Sequence, residues 1–476
     1  MFEGIFVLSH KKLAESYTMS VKQMDLVLRV EDSFDLIKKT MSFAGTESTL
    51  YYIDGFVKAE MMQKLMMHFV SLKTLPGTAE QFASENVPAV EVDITDSAEE
   101  LVTMVLSGCV AMICSAFSGQ AIVIDARTYP ARQTSEPEND KVMRGSRDGF
   151  VETMIFNTAL IRRRIRDPQL TVRYHRAGSS SRTDIAVLYM ENKVDRKMLS
   201  ALTEKLSDLR TDSLSMSHQS LAECLIPYGW LNPFPKYRAT ERPDAAAASI
   251  LEGSVIVLCD NSPEALIFPT SIFDFLQETD DFYFPPLTGT YLRLVRFFVF
   301  FLSAFITPLW YLILKYPHTA PACLQFLVPE QFGKIPILIQ LLLCEFAIDG
   351  LKLASLNTPN MLSNSFSAVA GLILGDFAVQ VGWLSNEVIF YMAFVALAGF
   401  TQSSYELGYA LKFFRILTLL LTAAFGVWGF AGGLLILLLC LVFTRPLGGQ
   451  RSYLYPLIPF NGRALASLFF RLKKKD

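Results

Sequence analysis

The 476-residue chain has no GxGxxG, P-loop, HExxH or GxSxG pattern, so nothing in it argues for an enzyme or for a bound cofactor. Its five histidines are dispersed. Seven cysteines (Cys109, Cys114, Cys224, Cys259, Cys323, Cys344, Cys440) are odd in number and show no CxxC spacing, so neither a disulfide framework nor a metal site follows. Charge is scarce in the second part of the chain. From Tyr291 onward there are fourteen basic and seven acidic residues, net +7, whereas residues 1–290 carry 29 against 39, net -10. The two parts face different solvents.

What fills the charge-poor part is apolar sequence. Phe297–Leu314 and Val388–Tyr405 are uncharged runs of eighteen residues and Ile416–Thr444 is one of twenty-nine, where roughly 20 residues cross ~30 Å of hydrocarbon. Such runs seldom recur three times in a soluble core, so the chain reads as an integral membrane protein. The N-terminal MFEGIFVLSHKKLAESYTMS has an acidic third residue and no small-residue cleavage site, unlike a signal peptide. The acidic region is therefore expected in the cytoplasm. Arg293 and Arg296 lie just inside the first span, and the terminal RLKKKD is also on the cytoplasmic side.

Before Tyr291 the patterning is α/β. A helix is expected near Asp32–Met41, a strand at Ser48–Ile53, a helix to about Leu72, a helix over Ile94–Leu106, and apolar strands at Val110–Ile113 and Ala121–Ile124. A polar stretch, Tyr129–Lys141, reads as linker. The second set has a helix ending in LIRRRIRDPQL (160–170), strands over 171–175 and 184–190, a helix over 195–209, and strands Leu251–Leu258 and Ala265–Phe268 around an Asp260-Asn-Ser-Pro263 turn. The expected fold is thus an α/β two-subdomain cytoplasmic region followed by an α-helical transmembrane domain of four to six membrane segments. Residues 1–20 form an N-terminal extension, 21–140 and 141–285 the two α/β subdomains, 286–450 the transmembrane domain and 451–476 a basic cytoplasmic tail.

Arg162, Arg163, Arg164 and Arg166 form the densest positive patch of the acidic region. The region's net charge opposes a nucleic-acid footprint. A solvated, salt-bridged helix face is the plainer reading and a subunit interface the sharper one.

Within IPILIQLLLCEFAIDGLK (335–352), Glu345, Asp349 and Lys352 fall on one helical face. A charge at the bilayer centre costs at least ~2.5 kcal/mol, so this face turns to water, protein or an opposite charge. The bland reading is an Asp349–Lys352 pair at the membrane edge. The sharp one is a ring of Glu345 and Asp349 side chains, one set per subunit, lining a cation vestibule. Ala368, Gly371, Gly375, Ala378 and Gly382 recur at helical spacing as a small-residue packing or gate face, beside Asp376 and Gln380, which are further ion-path candidates. Ile416–Thr444 reaches ~44 Å if helical throughout and is interrupted by Gly426, Gly429, Gly432 and Gly433. It reads either as one tilted or broken helix or as a hairpin.

RGSRDGFVE (144–152), Asn157 with LIRRRIRDP, LNPFPKYRATERPDAAAASILEG (231–253) and PTSIFDFLQETDDFY (269–283) together resemble the GerA-type family of spore germinant receptor A subunits. SYLYPLIPFNGRAL (452–465) and LILGDFAVQVGWLSNEV (372–388) are most similar to its SpoVAF branch. The resemblance implies a spore inner-membrane protein whose membrane domain assembles as a homo-oligomer, a pentamer, around an ion path. It also implies amplified release of monovalent cations during germination, in company with SpoVA-type or germinant receptor proteins, and it supplies no catalytic residue. A secondary ion transporter and a non-conducting scaffold that clusters receptors are the other two classes. The partners expected are membrane lipid and these proteins, with no nucleic acid.

Overall fold

The computed structural model describes residues 12–117, 119–128, 145–226, 231–278, 280–319, 322–329, 334–357, 378–402, 404–447 and 452–471. The chain forms two compact units. The first comprises Met1–Pro227, Tyr237–Thr270 and Leu447–Gln450, and the second comprises Tyr228–Lys236, Ser271–Pro446 and Arg451–Asp476.

The first unit is α/β and contains the same arrangement twice. Its elements are α1 (Tyr17–Leu28), β1 (Leu36–Phe43), β2 (Thr46–Ile53), α2 (Ala59–Ser71), α3 (Ala79–Asn86), β3 (Val92–Thr95), α4 (Ala98–Leu106), β4 (Val110–Cys114) and β5 (Ala121–Ile124). There follow α5 (Met154–Arg164), β6 (Leu170–Ala177), β7 (Thr183–Met190), α6 (Arg196–Ser207), α7 (Ser217–Leu225), β8 (Arg238–Thr240), α8 (Pro243–Leu251), β9 (Val255–Cys259) and β10 (Ala265–Phe268). The sheets are antiparallel, in the orders β1-β2-β4-β5-β3 and β6-β7-β9-β10-β8, so each strand of one sheet has its counterpart in the other. In the first sheet α1 and α4 cover one face through Met24, Leu28, Leu101 and Val105, and α2 and α3 cover the other through Met62, Leu65, Phe69 and Phe82. In the second, α5 and α8 take one face and α6 and α7 the other. Both are three-layer sandwiches. Because helices lie on both faces, the inner strands VAMIC, AIVI, VIVLC and ALIF are buried at every position and read as continuous apolar runs.

Two expected helices change place. The stretch expected to be helical near Asp32–Met41 is β1 instead, which pairs with β2 over all eight of its residues, and the preceding helix is α1. Ile94–Leu106 divides into β3 and α4, because the Ser97 hydroxyl accepts from Glu100 N at 3.2 Å and caps a helix that starts only at Ala98.

A buried ion pair joins the two sandwiches. Arg162, on α5, is fully buried and donates to both oxygens of Asp35, just before β1, at 2.8 and 3.0 Å. Its remaining N–H groups donate to the carbonyls of Leu170 at 3.0 Å and Asp167 at 3.4 Å. Ser33 bonds the backbone of Leu170 and Val172, and Phe34 N donates to Val172 O at 3.0 Å. Gly55, at φ +82°, lets the β2 turn close on Ile155 and Ala159 of α5. Arg162 therefore does not belong with the surface arginines: it is spent inside the chain and is not available to a neighbouring subunit. Arg164 pairs with Asp148 at 2.6 Å, while Arg163 and Arg166 lie on the surface. Burial pushes the Asp148 carboxyl up, but hydrogen bonds from Ser146 and Arg164 outweigh it and hold the group at about 2.

RGSRDGFVE has a structural use. Buried Asn157 accepts from Val151 N at 2.8 Å and donates to Val151 O at 2.5 Å, fastening that loop to α5. Asn157→Ala leaves both backbone groups without this partner, and a loss of about 1–3 kcal/mol is expected. Chemical denaturation of the full-length protein, followed through the α/β unit, checks it; an unchanged midpoint would mean that the loop is held by other contacts.

The second unit is helical: α9 (Pro286–Lys315), α10 (Ile337–Asn357), α11 (Asn386–Phe400), α12 (Tyr405–Phe425), α13 (Val427–Phe443) and α14 (Gly462–Phe469), with a single helical turn at Ala378–Gln380. By length and composition α9 and α12 are apolar enough to cross a membrane, and α11 and α13 are shorter apolar helices. Contacts give the directions. Arg415 reaches Ser303 O and Lys315 reaches Ala423 O, so α9 and α12 run parallel. Ser385 N donates to Gln340 Oε1 near the start of α10, and Lys352 stands over Phe400 at the end of α11, so α10 and α11 share the opposite sense. Ile416–Thr444 is a hairpin. The chain reverses at Gly426 (φ +61°), Gly429 packs against the Leu421 carbonyl, and a Cβ on Gly433 would lie 2.6 Å from Thr418 Oγ1. With no side chain on either glycine, the two helices touch almost backbone to backbone.

Candidate functional site

On α10 the positions Glu345, Asp349 and Lys352 share one face because four and three residues make about one turn each. On α12, Lys412 and Arg415 do the same with the opposite charge. Since α10 and α12 run antiparallel, the two charged faces meet in register. Arg415 Nε donates to Glu345 Oε1 at 2.6 Å and its NH2 donates to Oε2 at 3.0 Å, a bidentate pair in which Glu345 is 4% and Arg415 5% exposed. Arg415 NH1 is taken by Ser303 O of α9 at 2.8 Å. Lys412 stands between the two carboxylates, 3.6 Å from Glu345 Oε2 and paired with Asp349 Oδ2, and it also donates to Glu345 O at 3.0 Å. Lys352 lies 5.7 Å from the ring centres of both Phe400 and Tyr409.

These groups line a cavity of about 40 Å³ together with Gln402, Tyr405, Tyr409 and Ser303, which is room for roughly one or two waters. Asp349 Oδ1 and both amide atoms of Gln402 are buried with no hydrogen-bond partner among the described residues. Two carboxylates and three cations border the space, so it is polar, closely paired and not purely acidic. The arrangement can hold water or a small polar ion at the unpaired atoms, and it can lock α10 to α12 through Glu345.

Of the residues expected in an ion path, Glu345 and Asp349 come together here, but their partners sit on α12; Asp349 pairs with Lys412 and not with Lys352 as its first partner. Gln380 is exposed on the turn at Ala378–Gln380. Ala378 belongs to that turn, while Gly382 follows it at φ +77°, a left-handed position that interrupts a continuous helical face. Asp376, Ala368, Gly371 and Gly375 lie outside the described residues. Lys412, Arg415 and Gln402 were not singled out by sequence reasoning. The signal was there: a second apolar helix carrying two basic residues three apart, complementary to an acidic pair four apart.

A second charged knot lies at the start of α9. Asp281 is fully buried and its Oδ2 accepts from Arg296 at 2.9 Å and Arg293 at 3.3 Å, while Arg296 also reaches Glu278 at 2.6 Å. The two arginines read as flanking charges of the first span are thus largely neutralised inside the unit. Among the described residues no three metal-ligating side chains cluster.

Comparison with known proteins finds relatives along nearly the whole chain. Residues 25–476 match the family described as Bacillus/Clostridium GerA spore germination protein. The chain is 36% identical to stage V sporulation protein AF of Bacillus subtilis (strain 168) over 445 residues, which is 93% of this chain and 90% of that protein. It is 28% identical to spore germination protein KA of the same organism, over 88% of this chain and 78% of that one. A solved structure, the N-terminal domain of the A subunit of the Bacillus megaterium spore germinant receptor GerK3, resembles 54% of this chain at 20% identity with a TM-score of 0.41, over 95% of its own length. With a match that runs through both compact units and a relative of this identity along nearly its whole length, the chain belongs to the GerA spore germination protein family.

Proposed function

We propose that the chain is a membrane subunit of a spore germination complex that conducts monovalent cations as a homo-oligomer, a pentamer, in the spore inner membrane. The α/β unit is cytoplasmic and couples opening to SpoVA-type or germinant receptor proteins. α10 and α11 run in the same sense, so they are not a hairpin pair, and the membrane domain in this reading has four to six membrane segments. The observation that carries the reading is the cavity between α10 and α12, where buried polar atoms of Asp349 and Gln402 stand without partners inside an apolar bundle. Intramembrane ionisable groups of this kind mark ion paths. In this reading Glu345 is the fixed anchor and Asp349 the residue that meets the ion.

Purified protein in a planar bilayer tests it. Discrete conductance steps are expected, and Asp349→Asn is expected to lower the single-channel cation current several-fold while the oligomer stays intact by size-exclusion chromatography. Unchanged current removes Asp349 from the path. Saturable exchange without steps replaces the channel by a secondary transporter, and silence leaves a scaffold that clusters receptors.

A further inference from the structure

Lys412 holds a place that an alkali cation would fit. Its ammonium pairs with Asp349 Oδ2, donates to Glu345 O at 3.0 Å and stands 3.6 Å from Glu345 Oε2, so three oxygens from one turn of α10 converge on a single positive centre. An ammonium and a monovalent metal ion ask the same of their surroundings, oxygen atoms about 3 Å away and one compensating charge. The other two cations of the site are committed differently. Arg415 is pinned by both carboxylate oxygens of Glu345 and by Ser303 O, and Lys352 lies against the rings of Phe400 and Tyr409.

The surroundings leave the ammonium room to withdraw. A lysine head rides on a flexible four-carbon stem, unlike the guanidinium fork of Arg415. Long side chains on a helix lean toward its N-terminus. One turn in that direction from Lys412 is Gly408, which lines the same cavity and has nothing within 4 Å of the position a Cβ would take. Asp349 Oδ1 and the Gln402 amide oxygen are buried with no hydrogen-bond partner among the described residues, and both side chains line this cavity, so two more oxygens remain for whatever replaces the ammonium. Charge restricts what that can be. With Lys412 seated, two carboxylates and three cations leave the site with one net positive charge. A monovalent ion taking its place keeps that sum, whereas a divalent ion adds a further charge inside an apolar bundle, which is costly.

We propose that Lys412 is a built-in competitor of the permeant cation: seated on Asp349 and Glu345 it keeps the cavity closed to ions, and a monovalent cation enters one for one as the ammonium swings toward Gly408. The proposal rests on the ion-path reading of Asp349 above and adds the device that holds that path shut.

Thermal unfolding of the full-length protein in detergent, in potassium chloride and in N-methyl-D-glucamine chloride at equal ionic strength, tests it without requiring conductance. Lys412→Gln is expected to unfold about 2–4 °C higher in potassium. The unsubstituted protein and Lys412→Arg, which keep a tethered cation, are expected to show no such difference, and adding Asp349→Asn to Lys412→Gln is expected to abolish the shift. Lys412→Gln that stays monodisperse in potassium alone is the same result in stronger form. Lys412→Gln that gains nothing from potassium, or aggregates equally in both salts, overturns the proposal, and an equal shift in calcium chloride overturns the one-for-one exchange. In planar bilayers Lys412→Gln is expected to raise the resting cation current several-fold. An unchanged current, beside conductance steps from the unsubstituted chain, rejects Lys412 as the device and leaves the channel standing. A potassium shift with no steps from either protein has the opposite meaning: the cation site stands and the channel reading falls.

Discussion

Arg415→Met is expected to destabilise the helical unit by about 3–5 kcal/mol, since it leaves the Glu345 carboxylate buried with only Lys412 nearby. Before the change Glu345 holds a bidentate guanidinium and is 4% exposed, so the roughly one or two waters that fit beside it replace little of the lost partner. Glu345→Leu alone is expected to cost a similar amount, because it strands Arg415 in the same place. Glu345→Leu combined with Arg415→Met is expected to recover most of the loss, since an apolar pair of matching volume removes both desolvation penalties at once. Thermal unfolding of the full-length protein in detergent, read as the temperature of aggregation for the two single variants and the double one, measures the coupling. Additive losses would show that the two side chains do not act as a unit, and the Glu345 anchor would have to be abandoned.

Arg162→Met carries the second large effect, again about 3–5 kcal/mol. The guanidinium satisfies both oxygens of Asp35 and two backbone carbonyls, so its removal leaves a buried carboxylate and exposes the joint between the two sandwiches. Asp35→Asn is milder, because an amide still accepts one hydrogen bond. Hydrogen exchange is the discriminating measurement: Val172 and Phe34, which are bonded across the joint, should lose protection in Arg162→Met, while the inner strands β4 and β5 keep theirs. Uniform loss across the unit would mean that the pair supports global stability and not the joint.

The sequence shows the α/β region through its apolar strands and the turn at Asp260–Pro263, and shows the bundle through its uncharged runs. It misplaces β1 because LIKKTMSF alternates weakly, and only pairing with β2 decides its conformation. The doubled topology was not legible at all, since it resides in strand order, which no local pattern encodes. At the site, α10 advertised its carboxylates, but which charges answer them depends on how α12 lies against α10. Distance along the chain, 63 to 70 residues, hides that pairing. Arg162 illustrates the same blindness: four arginines within five residues look alike until folding buries one of them.

The glycine contact between α12 and α13 has a mechanical result. Two rods that meet main chain to main chain at Gly429, with only the short Thr418 side chain between them at Gly433, have little there that can re-pack, so they move together. The seam between α10 and α12 is fastened by charge instead, so its strength hangs on the Glu345–Arg415 pair and not on closeness of the main chains.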